Sequence, residues 1–160
     1  MKFQDTLHIN ASAEKIWSTV AHDFANLSRW ASSIESSGIN HDAPVPNGAD
    51  VGGRVCRAPG FGDIKETFLH YDEGGKTFTY FAEGGPFFMK SAQNTWTVIS
   101  ESDSTAKVTF AAEMVMHPPF NWLMAVPMRL QINRIIKNTA EELKHYIEKG
   151  EIHPRKAGKV

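Results

Sequence analysis

The order of hydrophobic periods constrains this chain most. Phe3 to Ile9 alternates apolar and polar residues, the period of a half-buried strand, and two short stretches of helical spacing follow, around Ile16, Trp17 and Val20 and then around Phe24, Leu27 and Trp30. From Arg54 to His117 the pattern returns to strands separated by turns at hairpin spacing. After Pro118-Pro119 the chain closes on one long amphipathic stretch, in which Met124, Met128, Ile132, Ile135, Thr139, Leu143 and Tyr146 recur at three- and four-residue steps. Strand, two small helices, a run of strands and a single long helix can bury their apolar faces together in one economical way. The sheet curves and the helix lies across its concave face, leaving an apolar hollow between them.

Boundary signals support these elements. Ser12 stands at the N-cap position ahead of Glu14, Pro127 falls in the first turns of the last helix, and His41 to Gly53 is a loop by composition. The turns Pro59-Gly60-Phe61-Gly62, Asp72-Glu73-Gly74-Gly75, Gly84-Gly85-Pro86 and Glu101 to Ser104 separate the strands. Residues 1–150 form one domain on this reading, and the tail 151–160 has nothing to bury and is expected to be flexible.

Composition narrows the partners. With 17 Lys and Arg against 18 Asp and Glu the net charge is −1, so no overall field holds nucleic acid, and no apolar run is long enough for stable membrane insertion. The single cysteine, Cys56, excludes an internal disulfide and fits a reducing compartment; the N-terminus lacks a signal-peptide pattern, so a cytoplasmic location is expected. The seven histidines are scattered, with no pair at ligand spacing, and no metal is expected. No phosphate loop, dinucleotide fingerprint or nucleophile elbow occurs, so no cofactor is expected either.

Several residues carry the resemblance to a known family. The Val51-Gly52-Gly53-Arg54 strand entry, Glu66 on the following strand, Tyr80 ahead of a Gly84-Gly85 turn, and Glu113 on the last strand make residues 3 to 147 similar to the START-like superfamily. Its polyketide cyclase/dehydrase and lipid-transport branch is the nearer match, and the spacing from Glu66 to Glu113 also resembles that of the plant abscisic-acid receptor subgroup. The resemblance implies an α+β helix-grip fold, a curved antiparallel sheet of about seven strands wrapped round the C-terminal helix. It also implies that Ala58 to Gly62 and Gly84 to Met89 flank a pocket mouth as gate and latch. The chain departs from the hormone receptors, however. Phe87, Phe88 and Met89 replace polar latch residues, and Glu35 occupies the position of a pocket lysine, so a carboxylate-binding receptor is not expected.

Strand parity then selects the wall of the hollow. If Glu66 points inward, Ile64 and Phe68 share its face. The family match adds Tyr80 and Ala82, then Ala92, Asn94 and Trp96, then Ala111, Glu113 and Val115. On the last strand hydrophobic alternation alone favours the opposite phase, Phe110, Met114 and Met116; the family parity is followed here. The candidate ligand contacts on the strands are Cys56, Glu66, Phe68, Tyr80, Ala82, Asn94 and Glu113. Trp30, the loop residues Phe87 and Met89, and Met128, Ile132 and Ile135 of the helix complete the set.

Each of these has a plain structural alternative. Glu66 and Glu113 would need a partner or a proton in an apolar hollow, and would otherwise sit on a solvated face. Arg54 is either the partner of Glu66 or a surface cation. Three functions remain open: a carrier for a small hydrophobic or amphipathic molecule such as a lipid, polyketide or isoprenoid; a cofactor-free cyclase or dehydratase using Glu66 or Glu113 as general acid or base; and an interaction module meeting a protein partner through the Gly60 and Gly85 loops.

Overall fold

A computed structural model describes residues 1–158. Its elements run β1 (Lys2–Ile9), α1 (Ala13–Trp17), a π turn (Ser18–His22) and a 3-10 stretch (Phe24–Arg29). They continue with β2 (Ser36–Ile39), β3 (Gly53–Ala58), β4 (Gly62–Asp72), β5 (Thr77–Gly84), β6 (Met89–Ser102) and β7 (Thr105–Met116). The chain closes with α2 (Phe120–Leu123), α3 (Ala125–Lys149) and α4 (Pro154–Ala157). The seven strands form one antiparallel sheet in the order β1-β7-β6-β5-β4-β3-β2, curved under α3, which is the expected helix-grip arrangement.

Local chemistry places the boundaries. Ser12 caps α1 by accepting a hydrogen bond from the Lys15 amide at 3.3 Å. Pro127 occupies the first turn of α3, where a missing N–H costs nothing, and Gly150 ends the helix in the left-handed region at φ 71°. Gly53 is required by close approach, because a Cβ there would meet the Glu66 carbonyl oxygen at 2.0 Å.

Two elements escape the periodicity argument. β2, Ser36-Ser37-Gly38-Ile39, has little strand propensity of its own and exists because it pairs with Arg54 to Arg57 of β3. The tail beyond Gly150 was expected to be flexible, yet its described part folds back as α4. The Lys156 ammonium is buried and donates to the Ile34 carbonyl at 2.9 Å, and Arg155 pairs with Glu141 at 2.8 Å and with fully buried Glu142 at 3.0 Å. Residues 159–160 of that tail lie outside the described residues.

The core is asymmetric. At the end of the sheet under α1, the rings of Phe24 and Phe68 lie 4.4 Å apart, Trp17 and Phe78 5.6 Å, and Phe24 and Phe78 5.6 Å. Under the middle of α3 the packing gives way to a hollow.

Candidate functional site

The hollow is a cavity of about 710 Å³ between the concave face of the sheet and α3. Its floor is set by register. Arg54, Glu66, Ala82, Ala92 and Met114 stand side by side across β3 to β7, and the next row is Tyr80, Asn94 and Ala112. Small side chains at Ala82, Ala92 and Ala112 make the room. Ile132, Ile135 and Ile136 of α3 form the roof, with Trp30, Phe61 and Met89 closing the sides. The half-buried state of Ile132 and Ile135 on an otherwise core-facing stripe follows from the empty space below them.

Polar groups are few and specific. Arg54 and Glu66, 5% and 6% exposed, form an ion pair directly opposite each other on β3 and β4. The Arg54 guanidinium also donates to the Phe24 carbonyl at 3.1 Å and to the Tyr80 hydroxyl at 3.5 Å, and it lies 4.1 Å from the centroid of the Phe24 ring. Burial pushes the Glu66 carboxyl above the ordinary carboxylate range, with Arg54 pulling it back. Burial likewise raises the Tyr80 phenol, and the charge of Glu66 adds to that. Asn94 is half-buried on the floor, and its amide makes no hydrogen bond to another described residue.

Of the residues expected from sequence, Trp30, Glu66, Tyr80, Ala82, Met89, Asn94, Ile132 and Ile135 all line this cavity. Five expectations need correction. Phe68 faces inward but is consumed by the aromatic cluster at the closed end. Cys56 is core, two pairs beyond Arg54, and burial raises its thiol to about 12, so it is neither a contact of this cavity nor a nucleophile. Met128 is packed in the core near the start of α3 and does not line the cavity. Phe87 is 79% exposed, follows the Gly84-Gly85 turn and meets Phe120 edge to face at 5.2 Å.

Glu113 is the fifth. It contributes to the cavity lining but is exposed, in the outward phase of β7 with Ala111 and Val115, so what differs from expectation is its orientation and burial. The inward phase is Phe110, Ala112 and Met114, the one that hydrophobic alternation favours. A bulge is responsible. Ser102 pairs with Thr105 at the hairpin turn, but by Ser100 the register has slipped one residue to pair with Ala106, and one residue exchanges the faces of the whole strand. Glu35 is also off the cavity, exposed and 3.7 Å from Arg57.

Other wall residues, including Phe110, Ala112, Ile136 and Asp5, were not among the contacts expected from sequence. The first two were signalled by alternation on β7. Asp5 carries no signal beyond its place in β1, opposite Phe110.

Residues 1–148 match the family described as polyketide cyclase/dehydrase and lipid transport, and the chain belongs to that family. No protein of curated function matches it. Among solved structures the chain is similar to XoxI from Bacillus cereus, at 18% identity and a TM-score of 0.72 over 95% of this chain and 99% of that one. A START superfamily protein from Mycobacterium smegmatis is similar at 14% identity and a TM-score of 0.72, over 94% and 99%. Norcoclaurine synthase from Thalictrum flavum, solved with a transition-state analogue, is similar at 19% identity and a TM-score of 0.70, over 94% and 95%. At these identities the likeness concerns the fold, which hosts more than one function.

Proposed function

We propose that this chain binds a small amphipathic molecule, of lipid, polyketide or isoprenoid type, in the cavity under α3. The observation that carries the reading is the combination of a cavity of about 710 Å³, within the usual size of a small-molecule site, with one half-buried amide, Asn94, that has no hydrogen-bond partner among the described residues. The apolar body of the ligand lies against Ile132, Ile135 and Met89, and its polar head reaches Asn94 beside Tyr80. Native mass spectrometry before and after denaturing extraction tests this, with a co-purified small molecule expected. The variant Ala92→Trp fills the floor and should lose the ligand while remaining folded; undiminished ligand in that variant places the binding site elsewhere.

A second reading is favoured by the upward-displaced carboxyl of Glu66 on the cavity wall. A buried carboxyl whose pKa is raised suits general acid–base work, as in a cofactor-free cyclase or dehydratase. The ion pair with Arg54 opposes it, since a proton leaving or reaching Glu66 must break that contact. The carrier reading asks nothing of Glu66 except that it stay in place. Buried, unpaired Cys56 fits a reducing compartment, which supports a cytoplasmic carrier.

A further inference from the structure

Five large apolar side chains stand in solvent at one end of the molecule. Phe87 follows the β5–β6 turn, Trp122 and Leu123 belong to α2, and Val126 and Leu130 to the first turns of α3; Trp122 is 71% exposed and Leu130 67%. The ring contact of Phe87 with Phe120 brings the loop against α2, and Trp122, Leu123, Val126 and Leu130 follow along α2 and the start of α3. This surface borders the cavity, since Met89 lies two residues past Phe87 and Ile132 two residues past Leu130, and both are cavity wall. An apolar patch of this kind on a single chain marks a surface made to be covered.

The charge around the patch is one-sided. From His117 to Asn138 the chain carries Arg129, Arg134 and Lys137 and no aspartate or glutamate, and all three are exposed. Exposed Lys2 and Lys90 begin β1 and β6 at the same end, and Arg129 lies 5.9 Å from the ring of Phe3, next to Lys2. The acids at this end are Glu35 and Asp63, which both pair with Arg57, together with Glu83 and Glu113; none lies on α2 or α3. The overall charge of −1 hides this local excess, because Glu14, Glu73, Glu101 and Glu148 lie at the opposite end, where Glu14 and Glu148 pair with Lys76 and Lys144.

We propose that this surface docks on an anionic phospholipid membrane, with Trp122, Leu123, Val126 and Leu130 entering the interface and Arg129, Arg134 and Lys137 meeting the headgroups. Apolar residues flanked by cations are what an interfacial helix requires. A second copy of the chain is a poorer occupant, since apposing the same patch across a two-fold axis sets Arg129 and Arg134 of one copy against those of the other. No helix among the described residues is long and apolar enough to cross a membrane, so the contact is peripheral. Docking in this orientation turns the cavity border toward the lipid.

Flotation with vesicles of pure phosphatidylcholine and of equimolar phosphatidylcholine and phosphatidylglycerol tests the proposal. The protein should partition onto the anionic vesicles and leave them in high salt. Trp122→Ser should weaken partitioning about tenfold and Arg129→Glu about fivefold, both being solvent-exposed positions where the fold tolerates change. Equal partitioning onto the two vesicle types, or an undiminished Trp122→Ser variant, overturns the proposal. So does a dimer in sedimentation velocity that Trp122→Ser converts to monomer without vesicle binding by the parent. Uptake of the fluorescent probe anilinonaphthalene sulfonate in vesicle-free buffer reads the cavity separately, so a failure of docking and a failure of the carrier reading are told apart.

Discussion

The concave face of the sheet has two halves that share one hydrophobic alternation and fill it in opposite ways. Toward α1, Trp17, Phe24, Phe68 and Phe78 interlock, and Trp17 and Phe78 are almost wholly buried. Under α3, alanines replace the rings at Ala82, Ala92 and Ala112 and the space stays open. The periods of the strands are the same in both halves, so periodicity locates the face and side-chain volume decides whether the face becomes core or cavity. The largest test of this contrast compares deletions in the two halves. Trp17→Ala should cost about 3–5 kcal/mol, both from the volume lost and from stripping Glu73 of the indole N–H it accepts at 2.8 Å. Ile135→Ala removes a side chain that faces empty space and should cost about 1 kcal/mol or less. Comparable losses in urea unfolding would mean the hollow is closed in solution.

The ion pair Arg54–Glu66 sits on the boundary between the halves, and it separates a structural charge from a ligand-binding one. Arg54→Met leaves Glu66 buried without its partner and should cost about 3 kcal/mol or more near neutral pH. Burial raises the Glu66 pKa, and losing the Arg54 charge that pulls it back raises it further in the variant. The deficit of the variant should therefore be full above that raised pKa and shrink as the solution is acidified through it. A pH-independent deficit would show that the guanidinium acts through packing on Phe24 instead. Glu66→Gln, attractive from sequence as a simple ligand-binding variant, now carries a stability cost of its own, since it leaves Arg54 as the uncompensated charge.

Asn94 is the cleaner probe of the hollow. Asn94→Leu removes an amide that no described residue satisfies, so stability should hold or rise slightly, while affinity for a polar-headed ligand falls about tenfold through the lost hydrogen bond. Loss of stability without loss of affinity would assign Asn94 to the packed half.

Much of this was legible in the sequence, and the exceptions have particular causes. Arg54 opposite Glu66 follows from folding the chain about Gly60, the centre of the β3–β4 turn. On β4, Ile64 follows by parity once Glu66 is set inward, and the wall residues of β5 and β6 follow from the family match. On β7 it was the family match that failed: it put Ala111, Glu113 and Val115 inward, while the register past the bulge between Ser100 and Ser102 turns in the apolar phase Phe110, Met114 and Met116 that alternation favoured. β2 was invisible because its pairing with β3 creates it, and α4 because Lys156 and Arg155 look like a solvated tail until Ile34 and Glu142 are placed beside them. Met128 and Phe87 show the reverse case, apolar residues next to a cavity that serve packing in one instance and an outer surface in the other.

The smallest expected effect lies in the packed half and concerns pH. At its edge His22 bridges Asp50 at 2.7 Å and Glu73 at 3.1 Å, and Glu73 also accepts from Trp17 and from Tyr71. Partial burial pulls the His22 pKa down, but the hydrogen bonds and charges of Asp50 and Glu73 outweigh it and leave it raised above the ordinary 6.5. For Glu73, desolvation works upward and the donors Trp17, Tyr71 and His22 prevail, leaving it lowered from the ordinary 4.5. A raised histidine contributes stability that is complete below its ordinary pKa and is lost as pH rises through the raised one. A lowered glutamate contributes stability that is present above its ordinary pKa and is lost as pH falls through the lowered one. The packed half should therefore be most stable between the two, around pH 5 to 6, with an amplitude of roughly a fraction of 1 kcal/mol because the cluster is open to solvent. Urea midpoints across this range should lose their decline on the alkaline side in His22→Gln. Probe uptake by that variant should stay unchanged, since the network lies at the end of the sheet away from the cavity floor; a coupled change in uptake would mean the two halves do not behave independently.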